Sequence, residues 1–313
     1  MSINFRGRIA RLLAGFGVGR QPRAAPPPPP TIVKLKNSPA LRMEVHARYD
    51  QFISAKIARD GEWEPFETEL VQRFLGRGDI FVDIGANIGW YTIIGASRVG
   101  PTGHVYAFEP AHENLDVAAR NVALNGFENV TLERIAIAES AGSASLFLST
   151  ENLGDHRLFQ AGEARSAEAV QTVTLTDYFA DKPGAIRLVK MDTQGSEAKI
   201  FEGITVDFAR DRSIGAFIFE FWPRGMAESG ISADRLISRL RALGMQCYVI
   251  QEEYRGVDPI DLDTLEQRAH GDLGPDTDLF ANMLALPASA PVPDWLQAFI
   301  RTPDAPFFYP KYW

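Results

Sequence analysis

Cysteine is almost absent from this sequence of 313 residues, which holds one, Cys247. A single thiol excludes a disulfide framework and a cysteine-built zinc site, and its apolar setting reads as a small buried side chain in a strand. Histidine is scarce too, with five in all. His46, His104, His112 and His270 have no metal-ligand spacing, so no metal site is read from the sequence. No run approaches the roughly 18 apolar residues needed to span a bilayer. Basic charge is in deficit: 32 Lys and Arg stand against 40 Asp and Glu, a formal net charge of −8. That balance argues against a nucleic-acid partner, which would call for a basic face. Apolar residues are plentiful at 45% of the chain, enough for one large α/β domain with appendages or for two small domains.

The N-terminus departs from the rest. Arg6, Arg8 and Arg11 lie among Phe5, Ile9, Leu12, Leu13 and Phe16, whose helical spacing describes a basic amphipathic helix. Such a helix would give residues 1–20 peripheral contact with a membrane surface; the alternative is a frayed basic tail. A signal peptide fits poorly, because Arg20 and Arg23 follow where a small-residue cleavage site should be. The expected location is cytoplasmic, on the inner membrane surface if the helix forms. Pro26 to Pro30 then make a semi-rigid polyproline run, so residues 1–37 read as tail and linker with little part in the core. Residues 38–77 read as an extension of the main domain, which runs to 290. Residues 291–313 read as an aromatic arm carrying Trp295, Phe299, Phe307, Phe308, Tyr309 and Trp313.

Within the extension, Leu41 to His46 suggests a strand, Phe52 to Ile57 a strand or a short helix, and Glu64 to Phe74 a helix with Phe66, Leu70, Val71 and Phe74 on one face. From Asp79 the pattern becomes regular. Strands are predicted at 80–84, 104–109, 129–135, 186–191, 214–220 and 246–250, with helices at 88–98, 111–124, 196–203 and 232–243. This alternation means βαβ units and a parallel sheet with right-handed crossovers. Two further β segments, Ser143 to Leu148 and Ala169 to Leu175, flank a polar loop from Thr150 to Ser166. A last strand falls at Leu279 to Leu286.

The chemistry gathers at Phe81-Val82-Asp83-Ile84-Gly85-Ala86-Asn87-Ile88-Gly89-Trp90, a buried strand entering a glycine turn that opens a helix. Gly85 would let backbone lie against a ligand, and Gly89 would let the helix pack closely on the strand. A second apolar run ends in Glu109, where a carboxylate accepts hydrogen bonds from ribose hydroxyls in doubly wound sheets. Together they describe a nucleoside-cofactor site. The middle glycine of a dinucleotide fingerprint is replaced by Asn87, and Asp83 at the strand end would repel a pyrophosphate. A nicotinamide oxidoreductase is therefore disfavoured. S-adenosyl-L-methionine, which has no phosphate and carries a sulfonium and an ammonium, matches better on charge.

The same residues carry a family resemblance. Gly78 to Thr92, Val105-Tyr106-Ala107-Phe108-Glu109-Pro110, Val189-Lys190-Met191-Asp192-Thr193-Gln194-Gly195-Ser196-Glu197 and Phe201-Glu202-Gly203 resemble the FkbM family of S-adenosylmethionine-dependent methyltransferases. Gly61-Glu62-Trp63-Glu64-Pro65 looks like that family's entry segment. The resemblance implies a class I methyltransferase sheet, seven strands and mostly parallel with the last antiparallel, helices on both faces, and O-methylation of a sugar, glycan or other hydroxylated metabolite. It also implies that Asp83, Gly85, Asn87 and Gly89 hold the methionine part of the cofactor, Glu109 the ribose, and Asn125 or Ala136 the adenine edge. The third motif often carries Glu where this chain has Gln194.

Asp192 ends the fourth strand and should sit beside both sulfonium and acceptor. As the base that takes the hydroxyl proton, the candidates are Asp192, Glu220, His156 and Glu197. The competing roles are structural: Asp192 bonding the turn after it, Glu220 pairing with Arg224, and His156 solvated in its loop. The readings outside this one are a nucleoside-binding scaffold without catalysis and, behind it, the NAD-dependent oxidoreductase.

Overall fold

The computed structural model describes residues 31–46, 50–160, 162 and 164–301, with the backbone of Tyr309 and Pro310. The basic N-terminal segment, the polyproline run and Phe307, Phe308 and Trp313 lie outside the described residues. In chain order the elements are β1 (Thr31–Lys34), β2 (Arg42–Val45), α1 (Ile53–Asp60), α2 (Pro65–Phe74), β3 (Ile80–Ile84), α3 (Trp90–Val99), β4 (His104–Phe108), α4 (His112–Leu124) and β5 (Val130–Glu133). Then come β6 (Ile135–Ile137), β7 (Gly142–Leu148), β8 (Ser166–Val173), α5 (Leu175–Tyr178), β9 (Ile186–Met191), α6 (Glu197–Glu202) and α7 (Val206–Asp211). The chain continues through β10 (Phe217–Phe221), α8 (Pro223–Glu228), α9 (Ala233–Ala242), β11 (Met245–Gln251), β12 (Gly256–Ile260), α10 (Leu262–His270), β13 (Leu279–Pro287), α11 (Asp294–Gln297) and β14 (Tyr309–Pro310).

The main sheet runs β12-β11-β13-β10-β9-β3-β4-β5. Strands β3, β4, β5, β9 and β10 are mutually parallel, and β13 enters antiparallel between β10 and β11. This is the class I methyltransferase order. The expected seven strands become eight, because β12 folds back antiparallel on β11 and extends that edge. The sequence conceals β12: Pro259 inside it cannot donate a ladder hydrogen bond, so it reads as turn until an edge position is known. Strand β14 adds a short antiparallel pairing to Leu279 and Phe280 of β13.

Alternate strand residues feed two apolar layers, as a pleated strand buried on both faces requires. Val82, Ile84, Phe108, Phe217 and Phe219 join the layer beneath α6, α7 and α9. Phe81, Val105, Ala107 and Ile218 join the layer beneath α2 and α3. Trp295 and Phe299 pack on Phe74 and Phe66, with ring centroids 4.9 and 5.4 Å apart, which docks this part of the C-terminal segment. Cys247 is buried in β11, and burial pushes its thiol up to about 12.

Two expectations change, and one left open is decided. Residues 31–37 are not mere linker: β1 pairs with β2, and Leu35 is buried in the core. Phe52 to Ile57 resolves as the helix α1. The run 129–135 divides at Arg134, and β6 leaves the main sheet for a small one of order β6-β8-β7, whose hairpin β7–β8 frames the polar loop. No helix among the described residues is long and apolar enough to cross a membrane.

Candidate active site

The carboxyl ends of β3, β4, β9 and β10 form one edge, and two cavities meet there. Ile84, Gly85 and Asn87 wall the first from β3 and its turn, and Phe108 and Glu109 from the end of β4 and the residue after it. Ile135, Ala136 and Ile137 close its far side. Ile53 of α1 and Leu153, Gly154 and His156 of the polar loop also line it, so the extension and the loop both contribute to the enclosure. The loop is pinned there by Asn114, whose Nδ2 donates to the Leu153 carbonyl at 2.8 Å. The second cavity is the larger, about 270 Å³ against about 70 Å³, and Ile53, Gly154 and Asp192 belong to both.

Gly85 has φ +79°, and a Cβ built on it would stand 2.0 Å from the Asp192 carbonyl oxygen. Its lack of a side chain therefore serves the neighbouring strand end first, bringing β9 close enough to place Asp192 at the crevice. Gly89 packs against helix α4, where an added Cβ would meet that of Ala118 at 3.3 Å, and it does not line either cavity. This corrects both its assignment to cofactor contact and the expectation that it brings the helix down on the strand. Asn87 also holds a left-handed φ, +50°, and its buried Oδ1 has no partner among the described residues. An unpartnered buried acceptor facing a cavity asks for a ligand donor.

Glu109 is buried. Its Oε2 accepts from the Asn87 amide and its Oε1 from the Ala111 amide, both at 2.8 Å. Burial pushes its carboxyl up to about 7, against the pull of those two amides. An ionised carboxylate has about four lone-pair sites, so two acceptor positions remain for a pair of ribose hydroxyls. Asp83 behaves otherwise: it accepts from Thr92 Oγ1 at 2.6 Å, lines neither cavity, and burial raises it to about 6. It braces the start of α3 from within, which corrects its assignment as a direct ligand of the methionine part. Asn125 is corrected too. It clasps the Arg42 amide and carbonyl of β2 at 3.0 and 2.7 Å, whereas Ala136 does line the first cavity.

Asp192 stands where the two cavities join. The turn after it is held by Glu197, whose carboxylate accepts from the Thr193 amide and hydroxyl at 2.7 and 2.8 Å and from the Gly195 amide at 3.0 Å. Glu197 is thereby occupied as a turn clamp, and Asp192 is spared that role. Gln194 Nε2 donates to Asp192 Oδ1 at 2.7 Å, and Lys190 Nζ lies 3.9 Å from Oδ2. Glu220, next to last in β10, lines the second cavity, while Arg224 pairs with Glu228 and Asp278. His156 faces the first cavity, with Nδ1 accepting the Ser149 amide at 3.0 Å. Burial lowers it to about 4, so it is neutral with its proton on Nε2. It can donate to a ligand but has no free nitrogen to act as a base, which corrects that candidacy.

The sequence reading passed over a buried ionic network behind the second cavity. Lys190 Nζ lies 3.0 Å from Glu67 Oε1 and 4.4 Å from the Tyr91 ring centroid. Tyr91 Oη donates to Glu64 Oε2 at 2.7 Å, and Glu252 accepts the Phe66 and Glu67 amides at the start of α2. Glu64 and Glu252 both line the cavity. The signal that could have exposed Glu64 is its place before Pro65. It carries φ +40° at the helix start, an unusual conformation for a side chain of its size. Glu64, Asn87 and Gln194 account for three of the five left-handed non-glycine residues among the described ones, and all three line the cavities.

Burial, reinforced by the charge of Glu67, pushes the Glu64 carboxyl up to about 8 from an ordinary 4.5. The native state then holds a proton that the unfolded chain releases between those values, so stability falls as pH rises through that window. Glu64→Gln is expected to melt several degrees above wild type at pH 8 and level with it near pH 5. Parallel melting curves for the two proteins across that range would mean that Glu64 is not held protonated.

A separate group, Asp234, Glu266 and His270, brings ligand atoms within 4.8 Å of one another on α9 and α10, away from both cavity walls. His270 Nε2 is already 2.9 Å from Asp234 Oδ1.

Residues 83–246 match the Methyltransferase FkbM domain. Methyltransferase sdnD of Sordaria araneosa is 28% identical over 154 residues, covering 39% of this chain and 59% of that protein. The chain thus matches less than two thirds of that relative's length. Among solved structures, a SAM-dependent O-methyltransferase of Thermotoga maritima aligns at 14% identity and TM-score 0.39, over 76% of this chain and 72% of its own. A SAM-dependent methyltransferase of Aquifex aeolicus aligns at 15% and 0.37, over 76% and 100%. Both likenesses are too distant to bear on the site. The domain match takes in the Asp83 turn, Glu109 and Asp192 and spans more than half of the sequence, and by it the chain belongs to the FkbM methyltransferase family.

Proposed function

We propose that this methyltransferase moves the methyl group of S-adenosylmethionine to a hydroxyl oxygen of a small hydroxylated acceptor, a sugar, glycan or secondary metabolite. The observation that carries the reading is the junction of the two cavities at Asp192. One cavity offers Glu109 to a ribose and Ala136 with Ile137 to a flat apolar ring; the other is large enough for a second small molecule. Bound there, S-adenosylmethionine supplies a methyl group made electrophilic by its sulfonium. Asn87 and His156 would bind polar edges of the donor, and Ile53 and Gly154 would exclude water from the junction. Given the narrowness of the first cavity, α1 and the polar loop must part to admit the donor.

Asp192 is assigned the acceptor's hydroxyl proton. As the new O–C bond forms and the S–C bond breaks, the proton passes to its carboxylate and S-adenosylhomocysteine leaves. Alignment of the two molecules contributes on the order of 7–11 kcal/mol, and proton removal roughly 10²–10⁴-fold. Asp192→Asn is accordingly expected to lower kcat by roughly 10²–10⁴-fold, with S-adenosylhomocysteine affinity held within a few-fold. The experiment is an acceptor screen that follows S-adenosylhomocysteine release, with titration calorimetry of the two adenosyl compounds and of NAD. Binding of NAD in place of the adenosyl compounds would overturn the donor assignment. Donor binding without turnover on any acceptor would make the chain a scaffold.

A further inference from the structure

Charge is divided unevenly along this chain. Eight of its 32 Lys and Arg stand in residues 1–43, ahead of the first acid, Glu44, which leaves 24 cations against 40 acids in the remainder. A basic leading segment on an acidic body suits attachment to an anionic surface. The apolar spacing tells lipid from other polyanions. On a helix of 3.6 residues per turn, Phe5, Ile9, Leu12, Leu13 and Phe16 fall within an arc of about 100°, flanked on either side by Arg6 and Arg8. A nucleic acid rewards the arginines alone. A bilayer also takes up the apolar stripe, while arginine stems reach from its margins to the headgroups.

The folded body carries the same two features where the chain enters it. Val33 and Leu35 turn into the core, so Ile32 and Lys34 share the outer face of β1. Ile32, at 50%, is the most exposed large apolar side chain among the described residues. Lys36 follows, and the shallow hollow that it lines adds Arg73, Arg98 and Arg255. All four cations are exposed, against two acids in the hollow. Glu62 pairs with Lys36, and Glu69 is shared by Arg73 and Arg255, which leaves an excess of positive charge.

We infer that the chain docks on an anionic lipid surface. Residues 5–16 lie among the headgroups as an amphipathic helix, and the outer face of β1 and the adjoining hollow turn toward the same surface. The five prolines from Pro26 to Pro30 make a stiff spacer of about 15 Å, short enough to keep the body beside the bilayer. The acidic remainder is repelled by the same lipids, which fixes the orientation. The His46 amide, just past β2, donates to Ser54 Oγ of α1 at 3.2 Å, and the neighbouring Ile53 lines both cavities. The cavities are thereby held near the lipid surface.

The test is flotation of the full chain with vesicles of phosphatidylcholine alone and of phosphatidylcholine mixed equally with phosphatidylglycerol. A short DNA duplex serves as the soluble polyanion. The chain is expected to float with the anionic vesicles and to stay behind with the neutral ones. Arg6→Glu, Arg8→Glu and Arg11→Glu together should lower partitioning by roughly a hundredfold or more, at about fivefold for each charge near the surface. Phe5→Ser with Phe16→Ser keeps the charge and should still lower partitioning by roughly tenfold or more. Ile32→Glu with Lys34→Glu, both at exposed positions, should lower it by about fivefold or more. Thermal melts matching wild type would show each variant to be folded. Equal flotation with neutral vesicles, partitioning that survives any of the three sets of changes, or a tighter hold on DNA than on anionic vesicles overturns the inference.

Discussion

Replacement of Lys190 by Met is expected to destabilise the protein by about 3–5 kcal/mol, the usual result of removing one partner from a buried ion pair. Lys190 is 4% exposed on the central strand β9, and its ammonium touches Glu67, which is fully buried. Burial works against that charge, yet Glu67, Asp192, Glu64 and Asp83 together hold the ammonium well above the usual lysine range. Methionine fills the volume but leaves Glu67 without its cation, and Glu67 Oε2 already lacks a partner among the described residues.

Thermal melts should record a fall of roughly 5–10 °C at pH 8. The deficit should shrink toward pH 5, since burial raises the Glu67 carboxyl and protonation removes the stranded charge. Adding Glu67→Gln to Lys190→Met should recover much of the loss, as coupled sites do in a double-mutant cycle. A cost below about 1 kcal/mol for the single change, the range of exposed pairs, would mean that water reaches the pair and that the network behind the acceptor cavity is not dry.

Glu109→Ala is expected to weaken S-adenosylhomocysteine binding by roughly tenfold to a hundredfold, as the loss of about 1.5–3 kcal/mol in hydrogen bonds to a charged group implies. Two consequences add up here. The ribose loses its acceptors, and the Asn87 and Ala111 amides lose theirs, which loosens the turn that shapes the cavity. The contact also carries a pH signature. With the Glu109 carboxyl pushed up to about 7 by burial, the ionised form that binds two hydroxyls is gained as pH rises. Wild-type affinity should therefore climb between pH 6 and 8, and Glu109→Gln should be weaker and flat. Calorimetry at the two pH values separates these outcomes, and a flat wild-type profile would remove Glu109 from the ribose.

The parts of this site that were legible in the sequence are those in which one segment carries its own meaning. An apolar run ending in Gly85, another ending in Glu109 and a third ending in Asp192 fix three adjacent strand ends, because strands of a parallel sheet present their carboxyl ends together. The structure brings Glu109, Asp192, Asn87 and Ala136 to one crevice on that logic. What was not legible depends on which segments meet. Lys190 inside a strand looks like an ordinary polar interruption until α2 sets Glu67 against it. Asp83 looks like a ligand until Thr92, one turn into α3, accepts the role of its partner by donating to it. Glu197 was weighed as a base, and only the closed turn reveals three donors already on its carboxylate. The small sheet was hidden similarly, since nothing in the run through Arg134 marks the step from β5 to β6.

The place of β3 in the sheet also governs when the active site can first exist. Ile84 pairs with Phe108 on one side, a single helical crossover (α3) away, and with Met191 on the other, across the whole of β4 to β8. Pairings close in sequence form readily, while distant ones wait on the closure of a long loop. The half holding Glu109 can assemble early, but the wall supplied by Asp192 arrives only when β9 slots in beside β3. Donor binding should thus report completion of the sheet's centre, and the adenosyl ligand should speed the last, slow phase of refolding only if it traps that closure.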